Sequence, residues 1–476
     1  MSLVILGFAM IVTFMVLIMT KKLTPVVALI LVPTIFGLFA GAGLGLGDMV
    51  MESVGKLAPT AALLMFAIIY FGIMIDVGLF DPLVRFILKV AGNDPAKIVV
   101  GTALLAGAVS LDGDGSTTFI VTTAALLPIY LRLGMSPVVL TCVAGLANGT
   151  LNIVPWGGPT VRAAAALKVD ASDIFVPMIP SLIAGLVIVF LFAWMLGLAE
   201  RKRLGRFDSD GSSLGTDGTL AGTTFGRARG TTDTDDATPG SALASSGVAV
   251  ITQPIATAMS DTMLDSDRST LRPKLIWFNL ALTLAVMTLL VLDLVPLFYV
   301  FMIGSAIALL VNFPKMKSQA SEIVAHAPSV VGVVSMVLAA GVLIGVLDGT
   351  GMVDAMANWL VEVIPASMGP FLAVITGLLS IPMTFFMSND AFYFGILPVL
   401  SQSAANFGID PVEMARASIT GQPVHLQSPL VPAILLLVSL ANVNLGDHHK
   451  KVLWRAAIVS VVMLVVGVLV GSIPWG

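Results

Sequence analysis

Residues 110–119 read SLDGDGSTTF, between the apolar runs VVGTALLAGAV (99–109) and IVTTAALLPIYL (120–131). Two carboxylates, Asp112 and Asp114, thus sit between glycines in a stretch otherwise suited to hydrocarbon. The apolar run from Ala96 to Ser110 is only about 15 residues, roughly 22 Å of helix, short of a bilayer core of about 30 Å. A second short run follows, as far as Tyr130. Two short helices joined at a polar, glycine-containing tip predict a re-entrant hairpin. The next segment is irregular too: SPVVLTCVAGLA (136–147) is again short, breaks at NGTLNIVPWGGP (148–159) and resumes at TVRAAAAL (160–167). Pro155, Pro159, Gly149, Gly157 and Gly158 do not fit one regular helix, so a discontinuous span is expected.

The rest of the chain has the composition of a membrane protein. Of its 476 residues, 57% are hydrophobic and 11% charged, and the mean hydropathy is +1.01; soluble domains carry roughly 25% charged residues. Around the irregular segments the pattern places spans near 2–20, 23–42, 58–79 and 175–198, with the amphipathic stretch DPLVRFILKV (81–90) lying at the interface. The N-terminal run lacks a basic flank and a cleavage site, so it is expected to be a first span and not a removed signal. Cys142, the only cysteine, excludes a disulfide within the chain and a cysteine-based zinc site. Residues 200–272 are rich in Gly, Ser, Thr and Asp and cannot bury a core, which predicts a disordered linker.

The second half repeats the first. Spans fall near 274–293, 295–313 and 328–348; PFLAVITGLLSIPM (370–383), FFMSND (385–390) and AFYFGILPVLSQ (391–402) form an arm, a tip and a return arm. PVEMARASIT (411–420) breaks at GQPVHLQSP (421–429) and continues as LVPAILLLVSL (430–440), before a last span near 452–472. GMSP at 134–137 against GIDP at 408–411, and Pro155 against Pro429, recur at one offset. The expected fold is an all-α polytopic membrane protein: a first repeat over 1–199, a cytoplasmic linker over 200–272 and a second repeat over 273–476. Each repeat crosses five times, and an odd number inverts the second relative to the first. With Met1 outside, all but four of the 24 Lys and Arg residues (Lys56, Arg162, Lys168 and Arg416) fall on the cytoplasmic side, as positive-inside bias requires. Both termini would then face outward from the plasma membrane.

Irregular backbone at membrane depth survives only where protein or a wet cavity surrounds it, so the two tips and two breaks are expected to converge on one site. The return arm after Ser116 and the segment after Pro159 begin with free N–H groups, which attract anions. Ser116, Thr117, Asn148, Asn152, Gly157, Gly158 and Thr160 add neutral groups or close backbone approach, and Arg162 adds a fixed positive charge. Ser388, Asn389, Gln422, His425 and Ser428 occupy the matching places in the second half. Those donors suit a carboxylate-bearing substrate. Asp112, Asp114 and Asp390 repel it, and suit a hard divalent cation or a proton; capping of the return arm is the plainer role for the first two. An anion carrying its own metal reconciles both kinds of group. Glu413 and Arg416 are expected to pair with each other, Trp156 to pack beside the site, and His448 and His449 to face solvent in an inner loop. Ser116 with His425 would be a conceivable nucleophile and base, but neither lies in a G-x-S-x-G or HExxH pattern, and no enzyme is expected. A channel is the remaining alternative class.

SLDGDGSTTFIVTTAALLPIYLRLGM, LNIVPWGGPTVRAAAAL, FMSNDAFYFGILPVL and GQPVHLQSPLVPA closely resemble the citrate–metal–proton symporter (CitMHS) family, over essentially the whole chain outside 200–272. The resemblance implies uptake of citrate complexed with a divalent metal of the Mg²⁺ or Ca²⁺ class, coupled to protons. The cation would be carried as part of the substrate, with no resident cofactor and no nucleic-acid partner. The family is similar to the wider ion transporter superfamily, which implies inverted repeats, homodimers and elevator-type motion in the lipid bilayer. The sodium sites of that superfamily use Ser-Asn-Thr tips; Asp-Gly-Asp-Gly-Ser-Thr and Ser-Asn-Asp here depart from them, which counts against sodium coupling. A metal-independent di- or tricarboxylate carrier, driven by protons or sodium, is the alternative.

Overall fold

The computed structural model describes residues 3–20, 22–113, 115–204, 268–292, 294–363, 365 and 367–476. Among them every regular element is helical. The first half runs α1 (Leu3–Met19), α2 (Pro25–Phe39), α3 (Leu46–Asp76), α4 (Asp81–Ala91), α5 (Pro95–Val109), α6 (Gly115–Arg132), α7 (Pro137–Leu151), α8 (Gly158–Leu167), α9 (Ala171–Phe175) and α10 (Ile179–Leu204). The second runs α11 (Ile276–Leu292), α12 (Leu297–Asn312), α13 (Met316–Gly349), α14 (Met352–Val363), α15 (Leu372–Phe386), a π-helix (Ala391–Ile396), α16 (Leu397–Ala405), α17 (Pro411–Ser418), α18 (Gln422–His425), α19 (Pro432–Leu440) and α20 (Leu445–Leu469). The order of elements is the same in both halves.

Their relative direction can be read from close contacts. A Cβ on Gly341 of α13 would stand 2.8 Å from Val54, one on Gly345 would stand 2.6 Å from the Met49 carbonyl, and one on Gly349 would also meet Met49. As the numbering rises along α13 it falls along α3, so these corresponding spans pack antiparallel. Small residues let the two backbones approach. The last spans of the two halves, α10 and α20, also pack together, as do α7 and α18. At that last crossing a Cβ on Gly149 would be 3.0 Å from Pro423 Cα, and these two residues stand at the offset that relates GMSP to GIDP. Corresponding elements meeting their own counterparts, in opposite directions, is the geometry of two inverted repeats.

Several boundaries differ from those read in the sequence. The third spans start about a dozen residues earlier than expected, because the polar first turns of α3 and α13 stay helical by packing on the last turns of the opposite helix. With its 3-10 extension the first hairpin arm reaches 18 residues, Pro95–Asp112, long enough by length to cross a bilayer. It turns back because of its tip: Gly113 adopts φ +78°, a left-handed conformation that suits glycine, and lies against Trp156 of the first break. In all, seven helices among the described residues are long and apolar enough to span, whereas α1, α2 and α12 are shorter. α10 continues to Leu204, and Arg268–Arg272 packs against the end of α3 through Arg268 Nε to Asp76 O (3.0 Å) and Arg272 N to Val77 O (3.1 Å). The expected linker therefore narrows at both ends, and its remainder, 205–267, lies outside the described residues.

Three of the cations assigned to one side of the membrane tie neighbouring turns together. Arg201 donates to Asp94 (Nε to Oδ1, 3.0 Å), Arg203 to Gly134 O (2.6 Å) and Arg268 to Asp81 (3.2 Å). Lys168, one of the four exceptions, pairs with Asp348.

Candidate functional site

Each hairpin tip is bonded to the break of its own half. In the first half, Asn148 Nδ2 donates to Ser110 Oγ at 2.8 Å and to Thr118 Oγ1 at 3.4 Å, from α7 to the two ends of the tip. Its Oδ1 is buried without a hydrogen-bond partner and faces Gly115, where a Cβ would approach it to 3.1 Å. Trp156 Nε1 donates to Leu111 O at 2.7 Å, and its ring stacks on Phe71 (centroids 5.3 Å apart) with Phe301 edge-on at 5.0 Å. The packing role expected of Trp156 is thus what the structure shows. In the second half, His425 Nδ1 lies 2.5 Å from Thr384 O, and Ser428 Oγ donates to Phe385 O at 2.6 Å. Gln422, at the position corresponding to Asn148, likewise bonds its own tip, donating to Asn389 Oδ1 at 3.4 Å and to Tyr393 Oη at 2.9 Å.

Two links then join the halves. Asn152 Nδ2 donates to Gln422 Oε1 at 3.3 Å, so Asn152, Gln422 and Asn389 form one chain from the first break to the second tip. Arg162 Nε donates to Asp390 Oδ1 at 2.6 Å, with the side chains 19% and 8% exposed. The two breaks and the second tip therefore close into one polar ring, and the first tip joins it through Asn148. Asp112 is buried at the first tip, and Ser116 and Thr117 sit half-buried at the start of α6. Asp114 lies outside the described residues. Thr160 bonds Ile153 O at 2.8 Å inside its own break, so its hydroxyl serves the fold of the break.

Backbone approach explains the two glycines of PWGGP. A Cβ on Gly157 would overlap the Asn152 carbonyl oxygen and stand 2.9 Å from Val154 O. A Cβ on Gly158 would meet only Arg162 Nη1, at 2.7 Å, the atom that donates to Gly158 O at 3.0 Å. Gly158→Ala is accordingly expected to fold but to displace the guanidinium, weakening about tenfold the hold on any anion that Arg162 binds, the scale of one weakened charged hydrogen bond; ligand titration of equal amounts of purified protein would check it.

Arg162 and Asp390, expected to face an anion and a metal, stand as an ion pair. Two expectations are corrected. Glu413 does not pair with Arg416: it completes a capping box with Asp410, while Arg416 donates to Asp173 O at 2.8 Å and to Ser472 O at 3.3 Å. His448 does not face solvent. It is fully buried, bridging Thr141 Oγ1 and Gln427 Oε1 at 3.1 Å each, because α20 begins at Leu445 and turns this residue onto α7; its neighbour His449 bonds Gln427 O at 2.7 Å. Residues that sequence reasoning missed include Tyr393 and Gln427. Tyr393 stands four residues after Asn389, the spacing of one helical face, and the π-helix around it is a form frequent at functional sites.

Inverted halves, each with a hairpin and a broken helix meeting at one polar ring, define a multi-pass membrane protein of the secondary transporter class. The model of the CitMHS family, "Citrate transporter", matches residues 7–421, and the chain belongs to that family. It is 47% identical over 473 residues, 99% of this chain and 100% of the relative, to a protein named Citrate transporter from Bacillus subtilis (strain 168). To the Mg(2+)/citrate complex secondary transporter of the same organism it is 45% identical over 472 residues, 99% of each. Among solved structures, that of the Alcanivorax borkumensis YdaH transporter, described as having an unusual topology, is similar at a TM-score of 0.49 and 14% identity, over 89% of this chain and 87% of that one. So remote a likeness adds nothing to the family assignment.

Proposed function

We propose that the protein imports citrate as its complex with a divalent cation of the Mg²⁺ or Ca²⁺ class, in symport with protons. The observation that carries this reading is the Arg162–Asp390 pair. A guanidinium and a carboxylate stand together in the ring that joins the halves, and one cargo can engage both: citrate carboxylate on Arg162, metal beside Asp390. The buried, unbonded Oδ1 of Asn148 adds an acceptor suited to a cation or a hydroxyl. The relative named for a Mg(2+)/citrate complex supports the same cargo.

Charge arithmetic favours the complex. Free citrate at −3 entering a cell that is 100 mV negative inside works against about 7 kcal/mol, at about 2.3 kcal/mol per charge. A bound divalent ion leaves about −1, which one or more protons cancel or reverse. In this reading the cation is cargo, the linker is cytoplasmic and the termini are outside. The bonded ring of hairpins and breaks moves as one body against the α3–α13 pair. Labelled citrate taken up by proteoliposomes in Mg²⁺ and an inward proton gradient should fall to background when EDTA is added in excess. Undiminished uptake in EDTA would instead establish a metal-independent carboxylate carrier.

A further inference from the structure

The α3–α13 pair carries, at one end, a cluster that the polar ring does not use. Asp76 closes α3; Glu322 and His326 lie one helical turn apart near the start of α13, on one face. One ligand atom from each lies within 4.8 Å of the others, and among the described residues this is the group of three His or carboxylate side chains that comes together so. Glu322 and His326 are each 8% exposed, and the Asp76 side chain 19%. His326 Nε2 stands 3.0 Å from Asp76 Oδ2, yet no hydrogen bond is aligned with it. Room for the imidazole comes from Gly72, one turn before Asp76, where a Cβ would stand 2.7 Å from Nε2. The nearby arginines are directed at other groups: Arg268 at Asp76 O and Asp81, Arg272 at Asn312 O (2.8 Å). At the far end of the same helix pair, Asp348 has Lys168 as its counter-charge. Asp76 and Glu322 have an imidazole instead.

We propose that Asp76, Glu322 and His326 bind a divalent transition-metal ion of the Zn²⁺ or Mn²⁺ class, as a resident clamp between α3 and α13, separate from any cation carried with citrate. A buried carboxylate and a partly exposed one held this close repel each other unless a cation lies between them, and two units of positive charge match them. The imidazole shifts preference from Mg²⁺ and Ca²⁺ towards Zn²⁺ and its neighbours. Ligands bonded tetrahedrally at about 2.1 Å stand about 3.4 Å apart, so small adjustments within the reach of rotamer changes bring the three atoms around one ion. Asp76, partly exposed, is the point of entry. The ion would tie the third span of one half to the third span of the other.

The test uses the purified full-length protein, stripped with EDTA, dialysed and kept free of citrate. Calorimetric titration with ZnCl₂ should show about one ion bound per chain, whereas MgCl₂ at the same concentration should give no heat. Gly72→Ala, which retains all three ligands but displaces the ring, should weaken zinc binding by about 10–100-fold, and His326→Gln by more. The double variant Arg162→Gln/Asp390→Asn, which strands no buried charge, should leave it unchanged. Co²⁺ added to the unaltered protein should produce a visible absorption band from nitrogen and oxygen ligation, a reading that needs no variant to fold. Absence of that band, zinc binding that survives His326→Gln, or zinc binding lost in the folded double variant would each overturn the proposal.

Discussion

Replacing Arg162 by glutamine is expected to lower citrate uptake by about 10–100-fold, the scale of a lost hydrogen bond to a charged group, and to lower the melting temperature of the detergent-purified protein. The second effect has its own cause. Asp390, with its side chain 8% exposed, is left without its counter-charge, and breaking one side of a buried pair costs about 3–5 kcal/mol. The double variant Arg162→Gln/Asp390→Asn separates the two roles. Removing both charges returns most of the stability, because no buried charge is stranded, but it returns no transport, because neither anion anchor nor cation ligand remains. Thermal melts and vesicle uptake measured on the same preparations would show this divergence. Recovery of uptake in the double variant would mean that the pair only holds the halves together.

Gly157→Ala should be the more damaging change to the fold itself. The added methyl would overlap the Asn152 carbonyl oxygen and crowd Val154 O, and both are backbone atoms of a break that Trp156 and Thr160 fix in place. Overpacking a tight site typically costs about 1–3 kcal/mol; here the obstacle is backbone and the loss should reach or exceed the top of that range. Asn152 would also lose its bond to Gln422, so the ring would open. The expected result is little monodisperse protein on size exclusion, in contrast with a folded Gly158→Ala. If Gly157→Ala behaves like wild type, the break has a different conformation from the one described.

The hairpins, the breaks and the repeat were legible because each is written locally: a short apolar run, a polar tip, prolines and glycines that no continuous helix tolerates. Convergence of the four segments was expected from the rule that irregular backbone must be enclosed; the Asn152–Gln422–Asn389 chain joins three of them and Asn148 to Ser110 joins the fourth. What remained hidden depends on partners far away in the chain. Nothing near Arg162 shows that its counter-ion is Asp390, 228 residues later. His448 looked like a loop residue because Lys450 and Lys451 follow it, and only the crossing with α7 turns it inward. The early start of α3 and α13 was obscured by their polar first turns, each held helical by the far end of the opposite helix. Gly72 and His326 gave no signal apart, since one makes room for the other across the antiparallel pair.

That antiparallel pair, with Gly149 against Pro423 at a corresponding crossing, also bears on energetics. Were the two halves identical, exchanging their conformations would turn an outward-opening shape into an inward-opening one of equal free energy, and an unloaded carrier would show no preference. The preference must therefore reside in the places where counterparts differ, such as Asn148 against Gln422, or Asp348 beside Lys168 against Asp76 beside His326. Resting orientation in this protein is in that sense a matter of a few mismatched side chains, and substitutions there should tilt the cycle without touching the cargo.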